Sequence, residues 1–143
     1  MINNKAINTE HIYNATPLKV WNAISDKNKI RKWGFEIKDF EPVIGFQFQF
    51  SGGPSPENQY IHLCKIVEVI QLKKLAYTWA FMGYEGNTIV SFELKEQGEQ
   101  TILKFSHSGI ETFPKNNPDF AFENFKTGWE HILNISLKNY LEE

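Results

Sequence analysis

The sequence predicts an α+β fold in which a long C-terminal helix covers one face of a curved antiparallel sheet of about six or seven strands. Apolar and polar residues alternate with a period of two along much of residues 35–109, as in half-buried strands. Short turns separate these strands, which favours an antiparallel meander. A stripe of apolar residues spaced by three and four runs through residues 119–141 and predicts the helix.

The N-terminal elements are predicted to be one strand and two short helices. Ile7–Tyr13 is rich in β-forming residues, and its alternate side chains share one face. Thr16 is placed to cap the first helix, and Pro17 occupies its first position, where a missing N–H costs nothing. Asp26 is placed to cap the second helix, and Gly34 to end it.

The remaining strands follow one another closely. A run of alternating phenylalanine and glutamine over residues 46–50 indicates a half-buried strand. Residues 51–56 are Ser, Gly and Pro only, and this composition predicts a loop. Further strands are predicted over residues 60–70, 75–81, 90–95 and 101–107, with a hairpin turn at residues 97–99.

The length of the chain predicts a single domain over residues 1–143, because 143 residues support one sizeable hydrophobic core. Fifteen Lys and Arg against 17 Asp and Glu give a net charge of −2, which does not favour a nucleic-acid partner. Cys64 is the single cysteine, which excludes an internal disulfide and suits a reducing compartment. Residues 1–6 are polar and no apolar run approaches ~18 residues, so we expect a cytoplasmic protein without membrane insertion.

Aromatic residues make up 15% of the chain, including twelve Phe and four Trp. Rings in such number either fill a bulky core or line an apolar pocket, and the sequence leaves both readings open. Alternation and helical spacing turn many of them toward the space between sheet and helix. The candidate cavity-lining residues are Trp33, Phe48, Tyr77, Trp79, Phe92, Phe105, His107, Phe125 and Trp129.

His107 is the most informative polar candidate, because alternation places it on the same face as Leu103 and Phe105. An imidazole in a cavity can orient a ligand or transfer a proton near neutral pH. The alternative is a histidine paired inside the protein with a loop carbonyl, with Glu68 or with His11. Tyr60 is a second polar group suited to orienting a ligand.

No motif for catalysis, metal binding or phosphate binding is present. Glu130 and His131 lack the second histidine of the His-Glu-x-x-His zinc motif. The four histidines lie on different predicted elements, with no spacing typical of metal ligands. We therefore expect no catalytic residue, no metal and no cofactor, and we lean against an enzyme.

Four groups of residues resemble the activator of heat-shock protein 90 ATPase homologue-like family, and the resemblance as a whole runs from about residue 7 to residue 141. The order and spacing of these groups carry the resemblance more than any one of them. They are Ala15-x-Pro17-x-x-Val20-Trp21, Leu75-x-Tyr77-x-Trp79, Thr101-x-Leu103-x-Phe105-x-His107-x-Gly109, and Gly128-Trp129 with Leu133 and Leu137.

The resemblance implies the START-like (SRPBCC) helix-grip fold, whose members commonly hold hydrophobic small molecules in an internal cavity. Cys64 stands where many members carry glycine, and this departure is expected to narrow the cavity or its mouth. The leading hypothesis is a domain that binds a hydrophobic or amphipathic small molecule. The alternatives are a co-chaperone in the stress response, with a chaperone as partner, and an enzyme that uses the same cavity.

Overall fold

The structure is a computed structural model that describes residues 6–143. The expectation of a polar N-terminus without a targeting signal concerns residues 1–6, of which 1–5 lie outside the described residues. The elements are β1 (Ile7–Tyr13), α1 (Pro17–Ser25), α2 (Lys27–Trp33), β2 (Gln47–Ser55), β3 (Asn58–Ile70), β4 (Lys74–Phe81), β5 (Thr88–Gln97), β6 (Gln100–Ser108), α3 (Phe122–His131) and α4 (Leu137–Glu142).

The strands form one six-stranded sheet in the order β1-β6-β5-β4-β3-β2, and every neighbouring pair is antiparallel. The expected antiparallel sheet is confirmed. Strands β2 to β6 form a meander, and β1 adds to its far edge beside β6. This register places His107 between Ile7 on β1 and Val90 on β5, well inside the sheet.

The predicted caps of the two short helices are confirmed. The Thr16 hydroxyl accepts from the Lys19 N–H at 3.3 Å. The Asp26 carboxylate accepts from the Asn28 N–H at 2.8 Å, and Gly34 follows the last residue of α2. These bonds satisfy helix N–H groups that have no partner within the helix.

The predicted loop over residues 51–56 is wrong, because β2 continues through Ser55. The segment is an edge strand, where the missing N–H of Pro54 breaks no central ladder bond. The β2–β3 register shifts between Gly52 and Ser55. A Cβ on Gly53 would lie 1.8 Å from the Asn58 carbonyl oxygen, so this close approach of two backbones requires glycine.

The C-terminal helix is built from α3, a π-helical turn over Ile132–Ser136, and α4. It begins at Phe122 rather than at Asp119 because Pro118–Phe120 forms a separate 3₁₀ turn. Within the π-helical turn, the Leu133 carbonyl accepts from the Tyr13 hydroxyl at 2.7 Å, which ties the helix to β1. The helix packs on the sheet in the expected helix-grip arrangement.

Candidate functional site

An open cavity of about 640 Å³ lies between α3 and the strands β2, β3 and β4. This volume falls in the range of small-molecule sites. Exposed residues, among them Glu36, Pro54 and Asn124, border it on the solvent side. Seven Phe and Trp residues line it: Phe35, Phe50, Trp79, Phe81, Phe120, Phe125 and Trp129.

The aromatic wall is continuous because neighbouring elements contribute rings that touch. Trp79 on β4 lies 5.2 Å from Trp129 on α3 and 5.5 Å from Phe50 on β2, measured between ring centroids. Phe81 stacks on Phe120 at 4.7 Å. Alternation along β4 places Trp79 and Phe81 on the same face of the sheet. The wall is therefore fixed by the sheet on one side and by the C-terminal helix and the turn before it on the other.

The indole N–H of Trp79 is a buried donor without a partner in the described part of the chain. Trp79 lines the cavity although its residue is only 4% exposed. The nearest rings, those of His62 and Trp129, lie 5.0 and 5.2 Å away. A buried donor without an acceptor costs about 1–3 kcal/mol. The Trp79 N–H is therefore a candidate donor for a ligand acceptor that reaches it.

His62 on β3 contributes a neutral imidazole to the same wall. Its Nδ1 lies 3.1 Å from the Tyr60 carbonyl oxygen, and the Phe50 carbonyl is a second backbone acceptor for the ring. Burial lowers the pKa of His62 to about 4. The ring stacks on Phe50 at 4.4 Å, and Gly52 leaves room for it, since a Cβ there would lie 3.3 Å from its Cε1.

Tyr60 and Asp119 form a hydrogen-bonded pair on the cavity wall. The Tyr60 hydroxyl donates to Asp119 Oδ2 at 2.5 Å and accepts from the Asn117 side chain at 3.4 Å. The bond to Asp119 raises the pKa of Tyr60, so the phenol holds its proton at neutral pH. The pair joins β3 to the 3₁₀ turn before α3 and places a carboxylate beside the cavity.

His107 is fully buried and paired on both ring nitrogens. The Trp129 indole N–H donates to Nδ1 at 3.0 Å, so Nδ1 is unprotonated and the proton sits on Nε2. Nε2 donates to the Thr88 hydroxyl at 2.8 Å, and that hydroxyl donates to the Trp79 carbonyl at 2.6 Å. Burial lowers the pKa of His107 to about 3. Its partners are Trp129 and Thr88, not Glu68, His11 or a loop carbonyl.

The nine candidate residues divide into two groups. Three line the cavity: Trp79, Phe125 and Trp129. Six lie outside its lining: Trp33, Phe48, Tyr77 and Phe92 surround a gap too small for water beneath α2, while Phe105 and His107 pack against Trp129. Cys64, which was expected to narrow the cavity, does not line it either. That the lining residues bind a ligand stays a prediction.

Several residues that line the cavity were not predicted from the sequence. Phe50 and Phe81 share strand faces with Phe48 and Trp79, so alternation contained a signal for them. His62 enters the site because β3 pairs with β2 in a register that a single sequence does not specify. Asp119 and Phe120 fell inside the predicted helix, although Pro118 just before them signals a break.

The described residues hold no group of three His, Cys, Asp or Glu side chains that could bind a metal ion. Between residues 6 and 143, no helix is both long enough and apolar enough to cross a bilayer.

A family model described as activator of Hsp90 ATPase homolog 1-like protein matches residues 14–142. The chain belongs to this family. The match covers both short helices, the cavity and the C-terminal helix. Among curated proteins, none matches the chain significantly.

Solved structures share the fold of this family member over nearly its whole length. Protein BH1534 from Bacillus halodurans is 26% identical, with a TM-score of 0.76 and 99% of each chain covered. The Aha1 dimer from Colwellia psychrerythraea is 24% identical, with a TM-score of 0.72 and 96% of each chain covered. CalU16 from Micromonospora echinospora is 24% identical, with a TM-score of 0.74 over 96% of this chain and 76% of its own.

Proposed function

We propose that the protein binds a hydrophobic or amphipathic small molecule in the cavity between α3 and strands β2 to β4. The observation that carries the proposal is a cavity of about 640 Å³ lined by aromatic rings, one of which, Trp79, has a buried N–H without a partner in the described part of the chain. A tightly packed core leaves few voids larger than a water molecule and few buried donors without a partner.

The binding free energy would come mainly from apolar ligand surface buried against the rings, and a few polar groups would orient the ligand. Each 100 Å² of apolar ligand surface removed from water contributes about 2.5 kcal/mol before the costs of association. Trp79 would donate to an acceptor on the ligand, and the neutral imidazole of His62 would offer a second polar group. A few polar groups on a wall of rings are typical of a small-molecule site.

Native mass spectrometry of protein purified from its own host tests the proposal. We expect one bound small apolar molecule per chain, released on unfolding. Turnover of that molecule on incubation would identify an enzyme instead of a binding protein. Absence of both a bound molecule and a saturable site for the neutral fluorescent probe N-phenylnaphthylamine would contradict the proposal.

Gly128 offers a variant that blocks the cavity without disturbing the core. It lines the cavity, and a Cβ built on it meets no atom within 4 Å. Gly128→Trp should therefore fold and reduce the affinity for N-phenylnaphthylamine by about tenfold or more, because the indole occupies the ligand's place. The control Lys126→Trp, at an exposed position on α3 outside the lining, should bind the probe as the wild type does.

The family gives a second candidate, a co-chaperone that contacts an Hsp90-type chaperone and raises its ATPase rate. Such contact would use the outer surface and not the cavity. The discriminating measurement is the ATPase rate of the host's chaperone with wild-type protein and with Gly128→Trp. Stimulation that survives the blocked cavity would favour the co-chaperone, and no stimulation by either protein would favour the small-molecule site.

A further inference from the structure

The charged side chains that line the cavity are of one sign only, negative. Two acidic residues line the cavity: Glu36 in the segment after α2 and Asp119 in the turn before α3. None of the described residues that line it is Lys or Arg. The positive side chain of Lys126 belongs to the same helix as the wall residues but does not reach the lining. The charged side chains among the lining residues are therefore all acidic.

The two acidic residues are more exposed than the rings of the cavity wall. Glu36 is exposed and Asp119 is half-buried, whereas Trp79, Phe81 and Trp129 are buried. The apolar part of a ligand gains most among the buried rings, which leaves its polar end toward solvent and toward the carboxylates. Asp119 is held in place there by the Tyr60 hydroxyl, so it does not need to be ordered when the ligand binds.

We propose, building on the proposed function, that the cavity selects apolar ligands bearing a protonated amine at their outer end and discriminates against carboxylates. An ammonium group would be attracted to Glu36 and Asp119. A carboxylate would be repelled by the same two groups and would find no cationic side chain in the lining to offset its desolvation. A neutral alcohol would bind with intermediate affinity.

Three probes that share one ring system isolate the charge. Naphthylmethylamine, naphthylmethanol and naphthoate are titrated by calorimetry at pH 7 and low salt, and each is also used to displace N-phenylnaphthylamine. We expect the amine to bind roughly threefold to tenfold more tightly than the carboxylate, with the alcohol between them. The preference should shrink in 0.5 M salt, because exposed charges are screened.

Glu36→Gln combined with Asp119→Asn removes both charges while keeping side-chain size and an acceptor for Tyr60. In this variant the affinities for amine and carboxylate should converge to within about twofold. The control Glu123→Gln removes an exposed carboxylate of α3 that does not line the cavity, and it should keep the wild-type preference.

The outcomes separate this inference from the proposed function. Failure of all three naphthalene probes and of N-phenylnaphthylamine to bind saturably would contradict a small-molecule site altogether. If naphthylmethanol displaces N-phenylnaphthylamine and the carboxylate binds as tightly as the amine, the small-molecule site is supported and the charge selectivity is wrong. An amine preference that is unchanged in the double variant would overturn the roles of Glu36 and Asp119.

Discussion

Two buried tryptophans of equal exposure provide a sharp test of the hydrogen bonding around the cavity. Trp79 and Trp129 are each 4% exposed, and their rings are neighbours. The Trp129 N–H donates to His107 Nδ1, whereas the Trp79 N–H has no partner among the described residues. Replacing either indole by a phenyl ring removes a similar amount of buried apolar surface. The difference between the two variants therefore reports the hydrogen bond.

Trp129→Phe leaves the Nδ1 of His107 buried without a donor, which costs about 1–3 kcal/mol beyond the loss of packing. Trp79→Phe removes a donor that was already unpaired and incurs no such cost. We expect Trp129→Phe to be less stable than Trp79→Phe by about 2 kcal/mol. With a slope of about 1–3 kcal/mol per molar urea, its unfolding midpoint should lie lower by roughly 1 M.

The assay is equilibrium unfolding in urea at pH 7.5, with both proteins refolded to remove any co-purified ligand. Equal midpoints, or a lower midpoint for Trp79→Phe, would refute the assignment of Trp129 as the donor to His107 and of Trp79 as the free donor. Comparable unfolding slopes for the two variants are needed for the midpoints to report stability alone.

Further predictions concern the histidines, two glycines and the π-helical turn. Burial lowers the pKa of His62 to about 4 and that of His107 to about 3, so below pH ~6.5 the unfolded chain binds protons that the folded chain does not. The free energy of unfolding should be highest above pH ~6.5 and should decrease as the pH falls toward 4 and 3. Urea unfolding that gives the same free energy at pH 8 and at pH 5 would contradict this. Gly53→Ala should lose about 2 kcal/mol or more, whereas Gly128→Ala should gain about 0.5–1 kcal/mol, a contrast that thermal unfolding checks. Tyr13→Phe should cost about 1–2 kcal/mol in chemical denaturation, because a buried carbonyl of the π-helical turn loses its donor, and an unchanged midpoint would argue against that bond.

The fold could be predicted from the sequence because its signals are local and periodic. Thr16 and Asp26 mark the starts of two helices, because each caps N–H groups within three residues of itself. Alternation along β4 places Trp79 on the inner face of the sheet whatever the other strands do. The first half of the edge strand β2 was predicted, but its second half, residues 51–55, was not, because Gly53 and Pro54 suggest a loop by composition. Only the pairing with β3 shows that an edge position tolerates them.

The candidate site was less predictable, because a cavity depends on which elements fail to meet. Trp79 and Phe92 lie on neighbouring strands of the same sheet, yet one borders open space and the other a closed gap beneath α2. Alternation assigns both to the same side of the sheet and cannot separate them. Similarly, no local pattern shows that His107 is paired with Trp129, since the two residues meet only when the helix docks.

The most direct test of a small-molecule site follows the indole N–H signals of the four tryptophans by NMR during titration with the tightest-binding naphthalene probe. On saturation, the Trp79 signal should shift strongly, because its N–H acquires an acceptor or a new ring neighbour in the cavity. The Trp33 signal should stay in place, since its N–H is bonded to the Ala23 carbonyl at 2.8 Å, away from the cavity. Saturable binding that moves Trp33 and leaves Trp79 unchanged would contradict the proposed site.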